Sequence, residues 1–129
     1  MMQNRILLVD DDEMFRTVAA MALEDAGYLV FEAADGFEAL DLLRKIRPDA
    51  IISDLNMPLM DGRALCRRVR GEPDLATIPF VILSAYIEAN DDSDCPPEGQ
   101  EIRVDCCFSK QRPFSSLLPR LEMLIEHRY

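Results

Sequence analysis

Histidine is almost absent from this chain, since His127 is the only one among 129 residues. This scarcity excludes catalysis by an internal histidine and a metal cage built from several histidines. Tryptophan is missing, and lysine occurs only at positions 45 and 110. The four cysteines have no CxxC spacing, which predicts small core residues rather than a disulfide framework or a redox pair.

Long hydrophobic runs are also missing. No apolar stretch approaches the length of a membrane span, and the first five residues lack the hydrophobic region of a secretory signal, so a cytoplasmic location is expected. The net charge of −10 argues against nucleic acid and anionic membrane surfaces as partners. Because 49% of the residues are hydrophobic, the chain has enough apolar material for one domain over residues 1–129.

Short apolar runs alternate with segments of helical periodicity. The runs are apolar almost throughout, which is typical of strands that are buried on both faces. Their alternation with helices predicts an α/β fold with a parallel sheet and helices on both sides. The predicted strands are residues 6–9, 28–31, 51–52, 80–83 and 104–108.

Four helices are predicted between and after these strands. The second helix is expected to begin at a cap formed by Asp35 and to end at Pro48. The last helix contains Pro119, which is tolerated in a first turn if Ser115 or Ser116 caps the helix. A fifth helix is not expected in residues 85–103, because prolines, a glycine and many acidic or polar residues predict an irregular acidic loop there.

Acidic side chains follow two of the predicted strands. Asp10 to Asp12 come after the first strand, and Asp54 ends the third. In an open parallel sheet, the carboxyl ends of the strands form the crevice in which ligands bind. Since Mg²⁺ prefers hard oxygen ligands, Asp11, Asp54 and the backbone carbonyl of Asn56 are candidate magnesium ligands. One of the three consecutive aspartates is expected to cap the following helix.

The last two predicted strands lead to a hydroxyl and an amine, those of Ser84 and Lys110. Together with the carboxylates they form a candidate site for phosphoryl transfer, in which a carboxylate nucleophile needs no general base. The alternative for Lys110 is a solvated surface charge. The alternative for Ser84 is a hydroxyl that satisfies its own backbone. Asp61 and Gly62 are interpreted as a turn and a helix start.

These residues together resemble the receiver domain of bacterial two-component response regulators. The matching stretches are Val9-Asp10-Asp11, Asp54-Leu55-Asn56-Met57-Pro58, Asp61-Gly62, Ser84-Ala85 and Lys110. They extend over nearly the whole chain, and their combination is specific although no single piece is. The resemblance implies a doubly wound, flavodoxin-like sheet of five parallel strands in the order 2-1-3-4-5, with the irregular segment replacing much of the fourth helix.

The same resemblance implies a role for each acidic residue. Asp54 would be the phosphoacceptor, Asp11 a direct Mg²⁺ ligand, and Asp10 a ligand acting through water. Asn56 would contribute its backbone carbonyl to the metal. The expected cofactor is therefore Mg²⁺.

The remaining roles concern switching and partners. Ser84 would be the hydroxyl that moves to the phosphoryl group, and Lys110 would contact a phosphate oxygen. The chain would not be an enzyme in its own right, since it would promote only its own phosphorylation and dephosphorylation. Its expected partners are a sensor histidine kinase or a phosphotransfer protein and an unknown downstream protein, because the chain itself contains no effector region.

Two departures from the family pattern lie near the lysine. Receivers usually have proline directly after it, whereas here Gln111 and Arg112 intervene before Pro113, which makes Arg112 a candidate competitor for the phosphate. Cys107 occupies the position where receivers often have an aromatic residue that moves with the switch hydroxyl. The phosphorylation chemistry is therefore expected to be intact and the output switch to be remodelled.

Two alternatives belong to other functional classes. The first is a degenerate receiver that binds partners without being phosphorylated. The second is a small magnesium-dependent phosphatase resembling the haloacid dehalogenase superfamily, which also uses Asp, Ser or Thr, and Lys. The second is disfavoured because that family places its nucleophile in a first Asp-x-Asp motif, whereas here the motif is Asp54-Leu55-Asn56, and only Glu122 and Glu126 follow the lysine.

Overall fold

The computed structural model describes residues 3–85 and 103–127. Its strands are β1 (Arg5–Val9), β2 (Leu29–Ala33), β3 (Ala50–Asp54), β4 (Phe80–Ser84) and β5 (Cys106–Ser109). Its helices are α1 (Glu13–Asp25), α2 (Gly36–Leu43), α3 (Gly62–Arg70) and α4 (Leu118–Glu126), the last preceded by a 3₁₀ turn, Phe114–Leu117. The predicted irregular segment, residues 85–103, lies almost wholly outside the described residues.

All strand pairs in the five-stranded sheet are parallel, in the order β2-β1-β3-β4-β5. This order confirms the doubly wound α/β architecture. No helix in the described part of the chain is long and apolar enough to span a membrane.

Alternate residues of β1, β3 and β4 enter two separate cores. One core packs Leu7, Val9 and Ile51 against α2 and α3. The other packs Ile6 and Leu8 against α1 and α4. All five side chains are fully buried, and complete burial on both faces explains why the strands are continuous apolar runs.

Three aspartates start three helices. The side chain of Asp12 accepts a hydrogen bond from the Phe15 amide at 3.2 Å, and Asp35 accepts one from the Glu38 amide at 2.8 Å. Asp61 accepts the corresponding bond at the start of α3 at 2.8 Å. Since free amides at a helix start need acceptors, these caps fix where each helix begins. The predicted cap at Asp35 and the predicted cap within residues 10–12 are confirmed.

Helix boundaries differ from the prediction in two places. Helix α2 ends at Leu43 rather than at Pro48, because the amides of Lys45 and Ile46 both bind the Leu42 carbonyl and close the chain into a turn. The predicted serine cap of the last helix is wrong. Its N-cap is Leu117, which makes no side-chain hydrogen bond, because the preceding residues already form a 3₁₀ turn that leads into the helix.

Strand β5 begins at Cys106, later than predicted, because the side chain of Asp105 binds groups of α3 and β4. Asp105 Oδ2 accepts hydrogen bonds from the Phe80 amide at 2.8 Å and from Arg70 Nη2 at 3.0 Å. Arg70 Nη1 also donates to the carbonyls of Ala76 and Ile78, at 3.0 and 2.7 Å. Arg70 thus joins α3 to the segments that enter β4 and β5, at the end of the sheet opposite the strand carboxyl ends.

We expect Arg70→Met to lower the free energy of unfolding by about 1 to 3 kcal/mol, since it removes the donor to the partly buried Ile78 carbonyl and leaves Arg103 as the charged partner of Asp105. Arg70 is only 13% exposed, so water would not replace it readily. The matched control is Arg68→Met on the exposed face of the same helix, with a change of less than about 0.5 kcal/mol. Urea unfolding would measure both, and equal losses would contradict the role of Arg70.

Candidate functional site

The polar residues predicted for the site lie at the carboxyl ends of neighbouring strands. Asp10 directly follows β1, Asp54 ends β3, Ser84 ends β4 and Lys110 directly follows β5. The register aligns these ends, because Val9 is level with Ser53, Asp54 with Leu83, and Ser84 with Ser109. The sheet therefore gathers side chains that are far apart in the sequence.

Three carboxylates form a tight cluster. Asp10, Asp11 and Asp54 each have an oxygen within 4.8 Å of the others. Asp10 is fully buried and Asp54 is 6% exposed, whereas Asp11 is open to solvent. Asp10 and Asp54 therefore form the buried side of the cluster, and Asp11 forms the side that is open to solvent.

The buried carboxylate is only partly satisfied. Asp10 Oδ1 accepts a hydrogen bond from the Asp12 amide at 2.9 Å. Asp10 Oδ2 has the Lys110 ammonium 2.8 Å away as an ion pair, yet in the described part of the chain no donor is aligned with it for a hydrogen bond. A buried carboxylate oxygen in this condition, next to two more carboxylates, fits a hard cation such as Mg²⁺.

Lys110 is the positive group of the site. Its Nζ atom lies 2.8 Å from Asp10 Oδ2 and 3.4 Å from Asp54 Oδ1. Burial by itself lowers the pKa of Lys110, but the adjacent carboxylates of Asp10 and Asp54 more than compensate and raise it above the ordinary lysine value. Lys110 therefore stays protonated, and the alternative of a solvated surface charge does not describe it.

The charge of Asp54 is unfavourable in this setting. Burial and the neighbouring Asp10 raise the pKa of Asp54 to about 6, although Lys110 and the Asn56 backbone amide both lower it. Clustered carboxylates repel one another, and one of them is driven towards protonation unless a cation is added. This is a second reason why the arrangement suits a divalent ion.

A close backbone approach supports Asp54. A Cβ atom on Gly62 would lie 2.5 Å from the Asp54 carbonyl oxygen, and the Gly62 amide donates to the Leu55 carbonyl at 2.8 Å. Only glycine allows the start of α3 to pack so closely behind the end of β3. The sequence predicts a turn and a helix start at Gly62 but does not reveal this contact.

Ser84 and Asn56 are placed beside the cluster. Ser84 is buried at the end of β4, and its carbonyl accepts a hydrogen bond from the Lys110 amide at 3.0 Å. Asn56 is exposed two residues after Asp54. The switching role of the Ser84 hydroxyl and the metal-binding role of the Asn56 carbonyl stay predictions.

The residues that depart from the family pattern have definite contacts. The Arg112 guanidinium lies 4.8 Å from the centre of the Phe108 ring, and Gln111 Nε2 donates to the Ala85 carbonyl at 3.2 Å. Cys107 is a buried core residue of β5, as expected, but it is disulfide-bonded, which the sequence did not predict. Cys106 is not disulfide-bonded, as expected, and its Sγ atom lies 3.7 Å from the Cys107 carbonyl oxygen.

Sequence reasoning missed one aromatic neighbour of the site. The ring of Phe15, near the start of α1, lies with its centre 4.4 Å from Lys110 Nζ. Phe15 lies partly buried on the inner face of α1, where it packs against the core. No local signal in the sequence links it to Lys110.

Comparison with known proteins places this fold and site in one family. The family model for the response regulator receiver domain matches residues 6–119. The response regulator MprA of Mycobacterium tuberculosis is 36% identical over 124 residues, which cover 96% of this chain and 51% of that protein. The chain thus spans about half the length of the curated relatives that it matches.

Solved structures agree with this result. The chemotaxis response regulator CheY4 of Vibrio cholerae superposes with a TM-score of 0.82 at 32% identity, over 95% of this chain and 99% of that one. The receiver domain of the sensor histidine kinase PA1611 from Pseudomonas aeruginosa, which holds a magnesium ion in its active-site cleft, gives a TM-score of 0.83 at 27% identity, over 97% and 99% of the two chains. The chain therefore belongs to the receiver-domain family of two-component response regulators.

Proposed function

We propose that this chain accepts a phosphoryl group on Asp54 from a phosphohistidine of a sensor histidine kinase or phosphotransfer protein, in a Mg²⁺-dependent step, and then changes its protein contacts. One observation carries the proposal. The Asp54 carboxylate shares a cluster with Asp10 and Asp11 within 4.8 Å and lies 3.4 Å from the Lys110 ammonium. Phosphoryl transfer depends on such positioning and charge neutralisation.

Asp10, Asp11 and Asp54, with the Asn56 carbonyl, would hold the metal. When bound there, Mg²⁺ supplies positive charge to the acidic cluster and to the oxygens of the transferred group. The magnesium ion in the cleft of the PA1611 receiver supports this assignment.

The residues of the chain have separate tasks in the transfer. A carboxylate oxygen of Asp54 forms the new bond to phosphorus as the bond from phosphorus to the donor imidazole nitrogen breaks, and the bonding electrons stay with the imidazole. The Lys110 ammonium neutralises a phosphoryl oxygen. The Ser84 hydroxyl donates to another phosphoryl oxygen and so links the phosphoryl group to the end of β4. The chain promotes only its own phosphorylation and dephosphorylation, and is not an enzyme with a separate substrate.

An exposed apolar stripe on α1 is suited to the donor protein. Met14, Val18 and Met21 are 79%, 59% and 58% exposed, and their spacing places them along one side of the helix. Met14 lies in the first turn of α1, which directly follows Asp10 to Asp12 in the chain. A helical donor surface that packs on this stripe would present its phosphohistidine to Asp54.

The proposal extends to location and other partners. A cytoplasmic location fits a partner kinase that is supplied with ATP. The downstream protein is unidentified, and the expectation that residues 1–129 bind neither nucleic acid nor membrane stays a prediction. The relatives that match this chain are about twice as long, so any activity of their remaining parts is not implied for it.

Incubation with Mg²⁺ and acetyl phosphate should add one phosphoryl group, as intact-mass spectrometry would show. Asp54→Asn should abolish the addition, because the nucleophilic carboxylate is gone. The matched control is Asp41→Asn, which removes an exposed carboxylate on α2. A folded wild-type protein that gains no mass, or a folded Asp54→Asn protein that still gains it, would contradict the proposal, and the former would favour a phosphorylation-independent interaction module.

Because the pKa of Asp54 is raised to about 6, the free energy of unfolding should depend on pH. Because the folded state binds a proton at Asp54 more tightly than the unfolded chain does, ionised Asp54 destabilises the metal-free protein above that pH. Without Mg²⁺ at pH 7.5, Asp54→Asn should therefore raise the free energy of unfolding by about 1 to 3 kcal/mol.

The gain should shrink as the pH falls through about 6 towards the ordinary carboxyl value of 3.8. Millimolar Mg²⁺ should stabilise the wild type more than the variant, since it binds the folded acidic cluster. Urea unfolding across this pH range, with EDTA or Mg²⁺, would measure both effects. A variant that is less stable than the wild type at every pH would refute the argument.

The role of the α1 stripe in docking can be tested separately from the phosphorylation of Asp54, by comparing a protein donor with acetyl phosphate. Met14→Glu should slow transfer from a phosphorylated histidine phosphotransfer protein by about tenfold, since it places a charge in an apolar contact. Phosphorylation by acetyl phosphate should be unchanged. Met123→Glu, at a methionine on α4 that is 58% exposed, is the control and should affect neither reaction. Equal rates for Met14→Glu and wild type with the protein donor would remove α1 from the docking surface.

A further inference from the structure

The Lys110 ammonium is held between a carboxylate and an aromatic face. Its Nζ atom lies 2.8 Å from Asp10 Oδ2 and 4.4 Å from the centre of the Phe15 ring. A cation at this distance from a ring centre is attracted by the negative face of the ring. Lys110 therefore contacts α1 through its charge as well as contacting the ends of β1 and β3.

A second ring fixes the orientation of the first. The Phe114 ring meets the Phe15 ring edge to face, with centres 6.2 Å apart and planes at 76°. Both phenylalanines pack partly buried against the core between α1 and α4. This geometry is a favourable arrangement for two aromatic rings, and it restricts the motion of Phe15.

Phe15 is also tied by its backbone to the acidic cluster. Its amide donates to the side chain of Asp12, whose own amide donates to Asp10 Oδ1. Asp12 at the start of α1 therefore links the carboxylate partner of Lys110 to its aromatic partner through two hydrogen bonds.

The aromatic contact has a chemical advantage over another acidic neighbour. A lysine side chain has four rotatable carbon bonds, and its ammonium has three N–H donors. A ring face attracts the charge without needing one of these donors to point at an oxygen. The donors remain available for Asp10, Asp54 and a phosphoryl oxygen.

We propose that Phe15 is a positioning residue for phosphoryl transfer, whose ring face, fixed by Phe114, keeps the Lys110 ammonium beside Asp10 and Asp54. The inference rests on the proposed function, since it deepens the account of the same site. It assigns to α1 a part in the chemistry that is distinct from the exposed stripe at Met14, Val18 and Met21.

The first test compares rates of phosphorylation by acetyl phosphate at saturating Mg²⁺. Phe15→Leu should slow the reaction by about 3- to 20-fold, the range expected from losing a cation–π contact. Phe15→Tyr keeps the ring face and should remain within about twofold of the wild type. Phe37→Leu removes an exposed phenylalanine on α2 (51% exposed) and is the matched control with no expected effect.

The second test is a double-mutant cycle with Lys110→Met. If Phe15 acts through the lysine, Phe15→Leu should cause no further slowing once the ammonium is absent. A structural role for Phe15 would instead slow both backgrounds equally. Circular dichroism and urea unfolding would establish that each variant is folded.

NMR of the unphosphorylated protein gives a third readout. The ε-methylene protons of Lys110 should be shifted upfield by the Phe15 ring in the wild type and in Phe15→Tyr, and should return towards ordinary values in Phe15→Leu. If these protons show no upfield shift in the wild type, the contact between Lys110 and the Phe15 ring is contradicted. A wild type that is not phosphorylated would overturn the proposed function, whereas a folded Phe15→Leu protein that reacts at the wild-type rate would overturn only this inference.

Discussion

Repulsion among three carboxylates at one edge of the sheet is the constraint on which the site depends. The fold holds Asp10 fully buried and Asp54 nearly so, with Asp11 beside them. The cost is visible in the pKa of Asp54, which burial and Asp10 raise to about 6. A single ammonium, that of Lys110, offsets part of this repulsion. The remaining negative charge favours a bound divalent cation and, with it, an incoming phosphoryl group.

The scaffold can hold this unfavourable cluster because its strands are anchored on both faces. Strands β1, β3 and β4 each place alternate side chains in two cores, so that neither their register nor their ends can shift without exposing apolar surface. The carboxylates then occupy fixed positions at the strand ends. Gly62 adds a second restraint, because the backbone at the start of α3 packs directly behind Asp54. The middle of each of these strands thus stabilises the fold, whereas the end of β3 and the residues after β1 carry the carboxylates that repel one another.

Most of the fold and the site follow from local sequence patterns. Continuous apolar runs predict the strands, Asp35 predicts a helix start, and acidic residues after two runs predict the metal cluster. What could not be predicted depends on contacts between distant residues. Strand β5 starts late because Asp105 binds Arg70 and the Phe80 amide. Phe15 contacts Lys110 only because α1 and the end of β5 meet in three dimensions.

The altered sequence after Lys110 leaves the lysine in place because its position is set by β4. The Lys110 amide binds the Ser84 carbonyl at 3.0 Å, and the Gln111 side chain binds the Ala85 carbonyl at 3.2 Å. These bonds join the residues that follow β5, Lys110 among them, to the end of β4, which carries Ser84. Cys107 has no ring to move and is disulfide-bonded. If Asp54 is phosphorylated as proposed, a change at the site would reach β4 and β5 through these bonds and not through the rotation of an aromatic side chain at position 107.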